Sequence, residues 1–253
     1  MANVGKYALV TGAAKRFGRE IAIHLARLGW NVAIHYHTSE EDALRTAADV
    51  RALGVKAAIV KADLANETAV GDLVPRVTRE FGPLTALINN ASNFEHDDWS
   101  TVTRESWDLH MEANLRAPFV LSQRFAQLIE KGADGSIINI TDQRVLKPTP
   151  RFMSYSLSRA GLHWLTTTMA QALAPNIRVN EIAPGPSFIG KRQSPEMFER
   201  QRSATILGRG ATSTDLLGAI SYLLASRSVT GQTIAVDGGQ HIAWQTPDVM
   251  VQE

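Results

Sequence analysis

The segment TGAAKRFG (residues 11–18) follows a short apolar run and leads directly into the amphipathic segment RFGREIAIHLARLG. A glycine at the end of a strand lets the backbone turn sharply and approach a phosphate closely. The free N–H groups and the positive dipole end of the next helix then face that anion. This order at the start of the chain predicts a dinucleotide-binding α/β fold. An ordinary strand-turn-helix connection is the alternative interpretation of this segment taken alone.

β-type runs alternate with helical patterns along most of the chain, which predicts a parallel sheet covered by helices on both faces. Strands are expected at residues 7–11, 31–36, 55–61, 86–89, 136–141, 177–182 and 233–236. Helices are expected at residues 17–28, 40–53, 67–81, 104–131, 154–173 and 214–225. No linker or repeat divides the sequence, so residues 1–253 are interpreted as one Rossmann-type α/β domain with a doubly wound, seven-stranded parallel sheet. The irregular region 184–210 is interpreted as a substrate loop or lid.

The composition excludes several classes of function. Lys and Arg total 26 against 25 Asp and Glu, so the net charge of +1 favours neither a nucleic acid nor an anionic membrane as partner. The lack of cysteine excludes a disulfide framework, a thiolate nucleophile and Cys-ligated zinc. The N-terminal sequence MANVGKYALV lacks the pattern of a signal peptide, and no stretch approaches the ~18 apolar residues that cross a bilayer. We therefore expect a cytoplasmic protein.

The end of the second strand indicates which dinucleotide is bound. An NAD site usually places Asp or Glu about 20 residues after the glycine turn, whereas residues 35–39 read HYHTS and carry no carboxylate. Arg16, His37, Thr38 and Ser39 could all bond a 2′-phosphate, so NADPH is favoured over NADH. For each histidine taken singly, a purely structural role at the strand end is the alternative. Since no third ligand is visible nearby, the histidines are not interpreted as a metal site.

Several motifs occur in one characteristic order. With TGAAKRFG at the front, INNAS at residues 88–92, Asn114, Tyr155 and VDGG at residues 236–239, the chain resembles the short-chain dehydrogenase/reductase family over nearly its whole length. The resemblance implies a Rossmann-type fold, a nicotinamide cofactor and oxidoreductase activity.

Four departures from the common family pattern resemble the pteridine reductase branch. Arg16 replaces the middle glycine of TGxxxGxG, and the extension of NNAS to NNASNF places Phe94 where pteridine reductases keep a ring that stacks on the pterin. Asp142 replaces the family's catalytic serine, and Ser187 in PGPS resembles a phosphate contact of their cofactor-binding loop. Singly, Phe94 could be a surface aromatic, Asp142 a cap and Arg16 a solvated charge. The four together favour the pteridine reductase branch.

The resemblance also implies the chemistry of the site. Tyr155 is expected to act as the acid, and the lysine that most of the family keeps four residues later is Arg159 here. Arg159 would lie on the same helical face, lower the pKa of the phenol and contact the nicotinamide ribose. It does not readily release a proton. We therefore expect that the protein still catalyses reduction, at a rate that arginine in place of lysine can lower. Protons are expected to arrive through water, Tyr155 and Asp142.

Two further side chains bear on the substrate and the proton path. Asp142 suits a substrate that offers N–H donors or is protonated at a ring nitrogen, as pterins and folates are. Asn114 matches the family asparagine that helps organise a proton-relay water; the alternative is a helix-interior amide bonded to a backbone carbonyl. Asp63 resembles the residue that contacts the adenine end, although ordinary turn chemistry explains it almost as well.

The expected site comprises three overlapping sets of residues. The catalytic set is Asn114, Asp142, Tyr155 and Arg159. The substrate-binding set is Arg16, Ser92, Phe94, Asp142 and Tyr155. The cofactor-binding set is Gly12, Arg16, Phe17, Gly18, His37, Thr38, Ser39, Asp63, Leu64, Asn90, Ala91, Tyr155, Arg159, Pro184, Gly185 and Ser187.

The sequence-based hypothesis is an NADPH-dependent reductase that transfers hydride to a pterin- or dihydrofolate-like heterocycle. One alternative is a carbonyl or alcohol oxidoreductase of the same family, and another is a non-catalytic NADPH sensor, suggested by the missing lysine. Relatives are usually tetramers that pair their long helices, so a homotetramer is expected, with the apolar side chains of helix 154–173 divided between core and interface. The tail of residues 241–253 is expected either to reach a neighbouring subunit or, through Trp244, to pack on its own chain.

Overall fold

The computed structural model describes residues 5–130, 132–190 and 192–245, and the sheet lies at the centre of this part. All strand pairs are parallel, in the order β3-β2-β1-β4-β5-β6-β7. The strands are β1 Tyr7–Val10, β2 Asn31–Tyr36, β3 Ala57–Lys61, β4 Ala86–Asn89, β5 Gly135–Ile140, β6 Ile177–Pro184 and β7 Thr233–Val236. The predicted fold class is confirmed. The strand order reverses between β1 and β4, which opens the crevice where such sheets bind ligands.

Helices cover both faces of this sheet. They are α1 Arg16–Arg27, α2 Glu40–Arg51, α3 Glu67–Glu80, α4 Arg104–Met111, α5 Ala117–Leu128, α6 Met153–Leu173, α7 Pro195–Ser203 and α8 Ser213–Ala225. Successive strand residues point to opposite faces, so Val10 joins the core under α1, α2 and α8, while Leu9 joins the core under α3, α5 and α6. Among the described residues, none of these helices is long and apolar enough to span a bilayer.

The helix predicted at residues 104–131 is not continuous, and this prediction was wrong in detail. A π-helical turn, Glu112–Arg116, separates α4 from α5, and Ala117 N–H bonds to the carbonyl of Glu112, five residues back. Pro118 has no N–H to donate to the carbonyl of Asn114, four residues earlier, so the α-helical ladder is broken at this point. The second helix ends at Leu128, and Lys131 lies outside the described residues.

The region 184–210, interpreted as irregular, contains α7. Ser194 caps this helix by accepting from the N–H of Met197 at 3.2 Å, and Pro195 occupies the first helical position. Proline is favoured there because its missing N–H would have no partner in any case. None of the helix's side chains is buried, so it lacks the apolar periodicity that would have revealed it in the sequence.

The structure divides the apolar side chains of α6 between core and surface, which the sequence alone could not do. Leu162 and Met169 are buried, whereas Leu157 is 46% exposed and Trp164 is 74% exposed. The predicted contact of the tail falls largely on residues 246–253, which lie outside the described residues. Trp244, at the edge of that segment, is 61% exposed.

His35, at the end of β2, has the structural role that was the alternative interpretation. Its Nδ1 accepts from the N–H of Gly12 at 3.0 Å, and its Nε2 donates to the carbonyl of Ala62 at 3.1 Å. Nδ1 can accept only when the ring is neutral. Burial lowers the pKa of His35 to about 4. This imidazole therefore ties the glycine turn to the ends of two strands.

Because His35 stays neutral in the fold, we expect the free energy of unfolding to fall on acidification. The imidazole takes up a proton near pH 6.5 in the unfolded chain and near pH 4 in the folded one. The contribution of His35 to the free energy of unfolding is therefore fully present above pH 6.5 and is lost as the pH falls toward 4. The loss is about 3 kcal/mol. Urea unfolding of the native protein and of His35→Gln across this range measures it. The variant should lose about 3 kcal/mol less than the native protein on acidification, and parallel curves would contradict the assignment.

Candidate active site

A cavity of about 500 Å³ opens at the carboxyl ends of four neighbouring strands. Arg16 follows β1, Ser92 follows β4, Asp142 follows β5, and Pro184 ends β6. Of the sequence-predicted residues, the cavity wall contains Arg16, Ser92, Phe94, Asp142, Tyr155, Pro184 and Gly185. The wall also contains Asn93, Glu95, Gln143, Arg144, Phe152, Pro186, Phe188, Gly190, Arg192, Gln193, Gln201 and Gln240.

The glycine turn is held tightly from the β4 side. The amide of Asn90 donates to the carbonyl of Thr11 at 2.9 Å, and the Thr11 hydroxyl accepts from the N–H of Ala91 at 3.0 Å. Gly12 has a φ of +62°, and a Cβ there would lie 3.0 Å from Cα of Ala91. A Cβ on Gly18 would lie 2.1 Å from the carbonyl of Gly12. The two glycines therefore let α1 begin close against the end of β4.

The start of α1 is suited to an anion. Its first turn has no acidic residue, and within the described residues its N-cap, Lys15, makes no capping hydrogen bond. The backbone N–H groups in the first turn of a helix have no partner within the helix, and they are the groups that bind phosphates. Phe17, in the same turn, is buried against Phe188 with ring centroids 5.3 Å apart. It therefore joins the turn to the segment after β6.

The backbone conformation of Arg16 explains why most of the family has glycine at this position. Its φ is +52°, in the left-handed region that glycine adopts without cost. Its Nη2 donates to the carbonyl of Ile189 at 2.9 Å, across the cavity wall. The charge of Arg16 is thus placed between the glycine turn and the segment after β6, at the expense of backbone strain.

Replacing Arg16 by glycine is expected to raise stability while weakening ligand binding. Relief of the left-handed strain should add about 1 kcal/mol to the free energy of unfolding. Loss of the charge-assisted phosphate contact that the sequence predicts for Arg16 should weaken NADPH binding about tenfold. Thermal unfolding and NADPH titration measure the two effects. Arg16→Asn is the matched variant, because asparagine tolerates this conformation but carries no charge. A less stable glycine variant would contradict the assignment of strain.

The residues predicted to bind the adenosine end lie on the far side of the turn. The side chain of His37 is 56% exposed, with Nε2 3.9 Å from the carboxylate of Asp63. Asp63 also accepts from the N–H of Ala65 at 3.0 Å, which is the turn chemistry of the alternative interpretation. Ser39 is the N-cap of α2, and Lys15 is paired with Asp42 in the first turn of that helix at 3.5 Å. Lys15 is therefore a further basic group near this end, one that the sequence pattern did not indicate.

Tyr155 and Asp142 form a direct pair at the cavity wall. The phenol is buried and donates to Oδ2 of Asp142 at 3.0 Å. Burial and then the neighbouring carboxylate raise the pKa of Tyr155, and Arg159 opposes them. The sequence-based expectation for Arg159 gave the right direction of its effect but not the net result. Tyr155 is therefore a protonated phenol at neutral pH, and its proton points to Asp142.

Arg144 is a partner of Asp142 that the sequence analysis missed. Its Nη1 donates to both carboxylate oxygens, at 3.1 and 2.9 Å, and its backbone N–H donates to Oδ1 at 2.9 Å. Asp142 therefore caps the 3₁₀ turn Gln143–Val145 and also faces the cavity, so the cap does not exclude the predicted functional role. An arginine two residues after an aspartate gives no distinctive sequence signal.

Arg159 lies beneath Tyr155, with its guanidinium carbon 5.4 Å from the phenol ring centroid. It is only 2% exposed, and its Nε and Nη1 have no hydrogen-bond partner among the described residues. Buried charged donors without acceptors are costly. Arg159 does not line the cavity, and ligand oxygens that reach these N–H groups, such as the hydroxyls of a nicotinamide ribose, would satisfy them.

Phe94 contributes an aromatic wall to the cavity. Its ring stacks on Phe152 at 4.5 Å and meets the Tyr155 ring edge-on at 4.6 Å. Arg192 donates from Nη2 to the carbonyl of Phe94 at 2.8 Å and forms an ion pair with Glu95. Phe94 remains 39% exposed, so part of the ring is open to a guest. Phe152, missed from the sequence, adopts a left-handed φ of +59° that no local pattern signals.

Other predicted residues lie around the cavity rather than in its wall. Asn114 is fully buried in the π-helical turn and bonds the backbone of Asn93. Leu64 is buried near the end of β3. The Ser187 hydroxyl donates to the carbonyl of Gly185 at 3.2 Å. In the described part of the chain, no group of three or more His, Cys, Asp or Glu side chains forms a metal site.

Comparison with known proteins gives one consistent family. Residues 12–241 match the family described as enoyl-(acyl carrier protein) reductase. The chain is 31% identical to the 3-oxoacyl-[acyl-carrier-protein] reductase FabG of Staphylococcus epidermidis, over 94% of this chain and all of that protein. Its sequence is 42% identical to that of FolM alternative dihydrofolate reductase 1 from Brucella suis, whose crystal structure is in complex with NADP. The two structures match with a TM-score of 0.93, over 96% of this chain and 98% of that one. The corresponding Brucella canis structure, also with NADP, is 41% identical with a TM-score of 0.91, over 97% of this chain and 98% of that one.

Proposed function

The chain belongs to the short-chain dehydrogenase/reductase family of oxidoreductases, and we propose that it transfers hydride from NADPH to a pterin- or dihydrofolate-like heterocycle. The observation that carries the proposal is the pair of Tyr155 and Asp142 at 3.0 Å beside the partly open ring of Phe94. A flat heterocycle gains apolar burial on such a ring, plus about 0.5–1.5 kcal/mol of ring-ring preference.

The Asp142 carboxylate distinguishes the site from one built for a simple ketone. A carboxylate accepts hydrogen bonds, so it suits ring N–H and amino donors, whereas a carbonyl oxygen beside it would be repelled. Tyr155 supplies the proton, since its raised pKa keeps the phenol protonated. Arg144 fixes the carboxylate through both of its oxygens. Asp142 would then orient the substrate through its N–H groups, and Tyr155 would protonate the ring nitrogen of the C=N bond whose carbon receives the hydride.

NADPH, when bound, supplies the hydride. Arg16, His37, Thr38 and Ser39 would hold its phosphates, and the two unpartnered donors of Arg159 would bind the nicotinamide ribose. The end of β2 has no acidic residue among positions 35–39, so the ribose 2′-phosphate would meet no like charge from that stretch. The two FolM structures, both in complex with NADP, support this choice.

A carbonyl or alcohol oxidoreductase of the same family is the second candidate. It is favoured by the similarity to FabG, whose name specifies a 3-oxoacyl substrate. Family membership supports either enzyme over a non-catalytic NADPH sensor. The residue that separates the two enzymes is Asp142.

The test is a substrate panel on the purified protein, with NADPH oxidation followed by absorbance. The dihydropterin substrates are dihydrobiopterin and dihydrofolate. We expect kcat/KM for either of them to be at least about 100-fold higher than for 3-oxoacyl thioesters and simple ketones, a difference equivalent to about 3 kcal/mol. Methotrexate should compete with the dihydropterin. An enzyme that consumes NADPH with ketones but ignores dihydropterins would overturn the proposal in favour of the second candidate.

The same family resemblance leads us to propose a homotetramer. The exposed side chains of Leu157 and Trp164 on α6 support it, because large apolar groups at a surface often mark an interface. Size-exclusion chromatography with light scattering measures the molar mass of the assembly. A monomeric mass would contradict it.

A further inference from the structure

Phe94 lies between two residues whose backbones are bonded to one helical segment. Asn93, before it, is bonded to Asn114, and Glu95, after it, is bonded to His110. His110 and Asn114 are four residues apart, so they lie on one side of the helical run formed by α4 and the π-helical turn. Each of them also bonds a serine of α6, Ser154 or Ser158, on either side of Tyr155. We call these two connections the Asn114 rung and the His110 rung.

The Asn114 rung consists of an amide that bonds on both sides. Its Oδ1 accepts from the N–H of Asn93 at 2.8 Å, and its Nδ2 donates to the carbonyl of Asn93 at 2.9 Å. Nδ2 also donates to the Ser158 hydroxyl at 3.2 Å. A bond to a backbone carbonyl was the alternative interpretation of Asn114, and here that carbonyl belongs to the loop rather than to the helix.

The His110 rung has a definite hydrogen-bond direction. Asp97, a carboxylate that can only accept, bonds both the backbone N–H of Ser154, at 3.1 Å, and its hydroxyl. The Ser154 proton therefore points to Asp97, and the Ser154 oxygen accepts from Nδ1 of His110 at 2.6 Å. Nδ1 thus carries the proton, which leaves Nε2 free to accept from the N–H of Glu95 at 3.0 Å.

The surroundings of His110 keep the ring neutral, as this direction requires. The imidazole is fully buried, and burial lowers its pKa, as does Arg159, whereas Asp97 and Glu95 raise it. Burial raises the pKa of Asp97, but the hydrogen bonds from Ser154 and Ser106 outweigh it, so that pKa is lowered. The Tyr155 ring, at 5.9 Å, is the other titratable group against the imidazole.

We propose that His110 is a positioning residue for the aromatic wall of the site: by accepting the Glu95 N–H it holds Phe94 against the helix that carries Tyr155. The inference rests on the proposed function only insofar as Phe94 contacts the substrate. The ring contact of 4.6 Å between Phe94 and Tyr155 is the distance that this rung maintains. His110 touches no reacting atom, so its effect should appear in substrate binding more than in proton transfer.

Two substitutions separate the two ends of the rung. In His110→Asn, the amide can still reach Ser154 from the position of Nδ1 but is too short to accept from Glu95. In His110→Gln, the longer side chain can place its oxygen near the position of Nε2 and keep the loop bonded. His24→Asn is the control, because His24 also bonds a serine hydroxyl, Ser221 at 2.7 Å, between α1 and α8.

The full chain with NADPH is examined by amide hydrogen exchange and by steady-state kinetics. We expect the Glu95 amide to be protected in the native protein and in His110→Gln, and to exchange at least about tenfold faster in His110→Asn. The substrate KM should rise about tenfold in His110→Asn, with kcat changed less than about threefold. His110→Gln should restore KM to within about threefold of the native value, and the His24 control should leave both readouts unchanged.

Each possible result decides the matter. Rapid exchange of Glu95 in the native protein would overturn the inference even if His110→Asn failed to fold. Equal impairment of the asparagine and glutamine variants would reduce His110 to a packing residue. If the native protein reduces ketones but no dihydropterin, the proposed function fails, while the exchange comparison still decides the role of His110.

Discussion

Replacing Tyr155 by phenylalanine is expected to lower kcat for substrate reduction about a thousand-fold. A positioned general acid contributes about 10²–10⁴ to the rate, and Tyr155 is the buried phenol whose pKa is raised so that it keeps its proton. Phenylalanine preserves the ring contacts with Phe94 at 4.6 Å and His110 at 5.9 Å. The loss should therefore fall on proton delivery. Single-turnover oxidation of bound NADPH measures it.

The matched expectation is that stability stays close to native, and that NADPH affinity falls by no more than the loss of one neutral hydrogen bond, about tenfold, because Tyr155 also belongs to the expected cofactor-binding set. Asp142 retains both of its bonds to the Arg144 guanidinium when the phenol hydroxyl is removed, so the carboxylate is not left unpaired. Fluorescence titration of NADPH and thermal unfolding provide the controls. A fall in kcat of less than about tenfold would mean that protons reach the substrate without the phenol.

The sheet and its crevice could be predicted from local patterns. Buried parallel strands are short apolar runs, and the strand predicted at residues 86–89 has the same bounds as the observed strand Ala86–Asn89. The glycine turn was predictable as well, because Gly12 with a φ of +62° needs a residue without a side chain. Patterns of this kind are set by neighbours in the chain, which the sequence displays directly.

The rest of the site depends on contacts between distant segments. Glu95 and His110 are fifteen residues apart, and His110 and Ser154 are forty-four apart, so nothing in the local pattern pairs them. The π-helical turn was missed because residues 104–131 carry an apolar pattern suited to one helix, and Pro118 alone indicates the break. Arg16 was assigned from its charge, whereas its left-handed backbone could be inferred only from the glycine it replaces.

Replacing Asp142 by serine is the second change for which we expect a large effect, and it tests the substrate class itself. Serine is the residue that most of the family keeps here, and it can still cap the 3₁₀ turn by accepting from the N–H of Arg144. It cannot offer two anionic oxygens to ring N–H groups. We therefore expect kcat/KM for a dihydropterin to fall about 100- to 1000-fold. Reduction of ketones, which gain nothing from a carboxylate, should be kept or increased.

Two further variants separate the chemistry of Asp142 from the loss of its ion pair. Asp142→Asn keeps the shape but removes the charge, and should resemble the serine variant on dihydropterins without its gain on ketones. Arg144→Gln leaves Asp142 in place and removes only the guanidinium, which is 18% exposed and lies 5.2 Å from the Phe152 ring centroid. It should cost far less activity than loss of the carboxylate, because Tyr155 still bonds Asp142. If instead the serine variant reduces dihydropterins as well as the native enzyme does, the carboxylate is a cap alone and does not determine the substrate class.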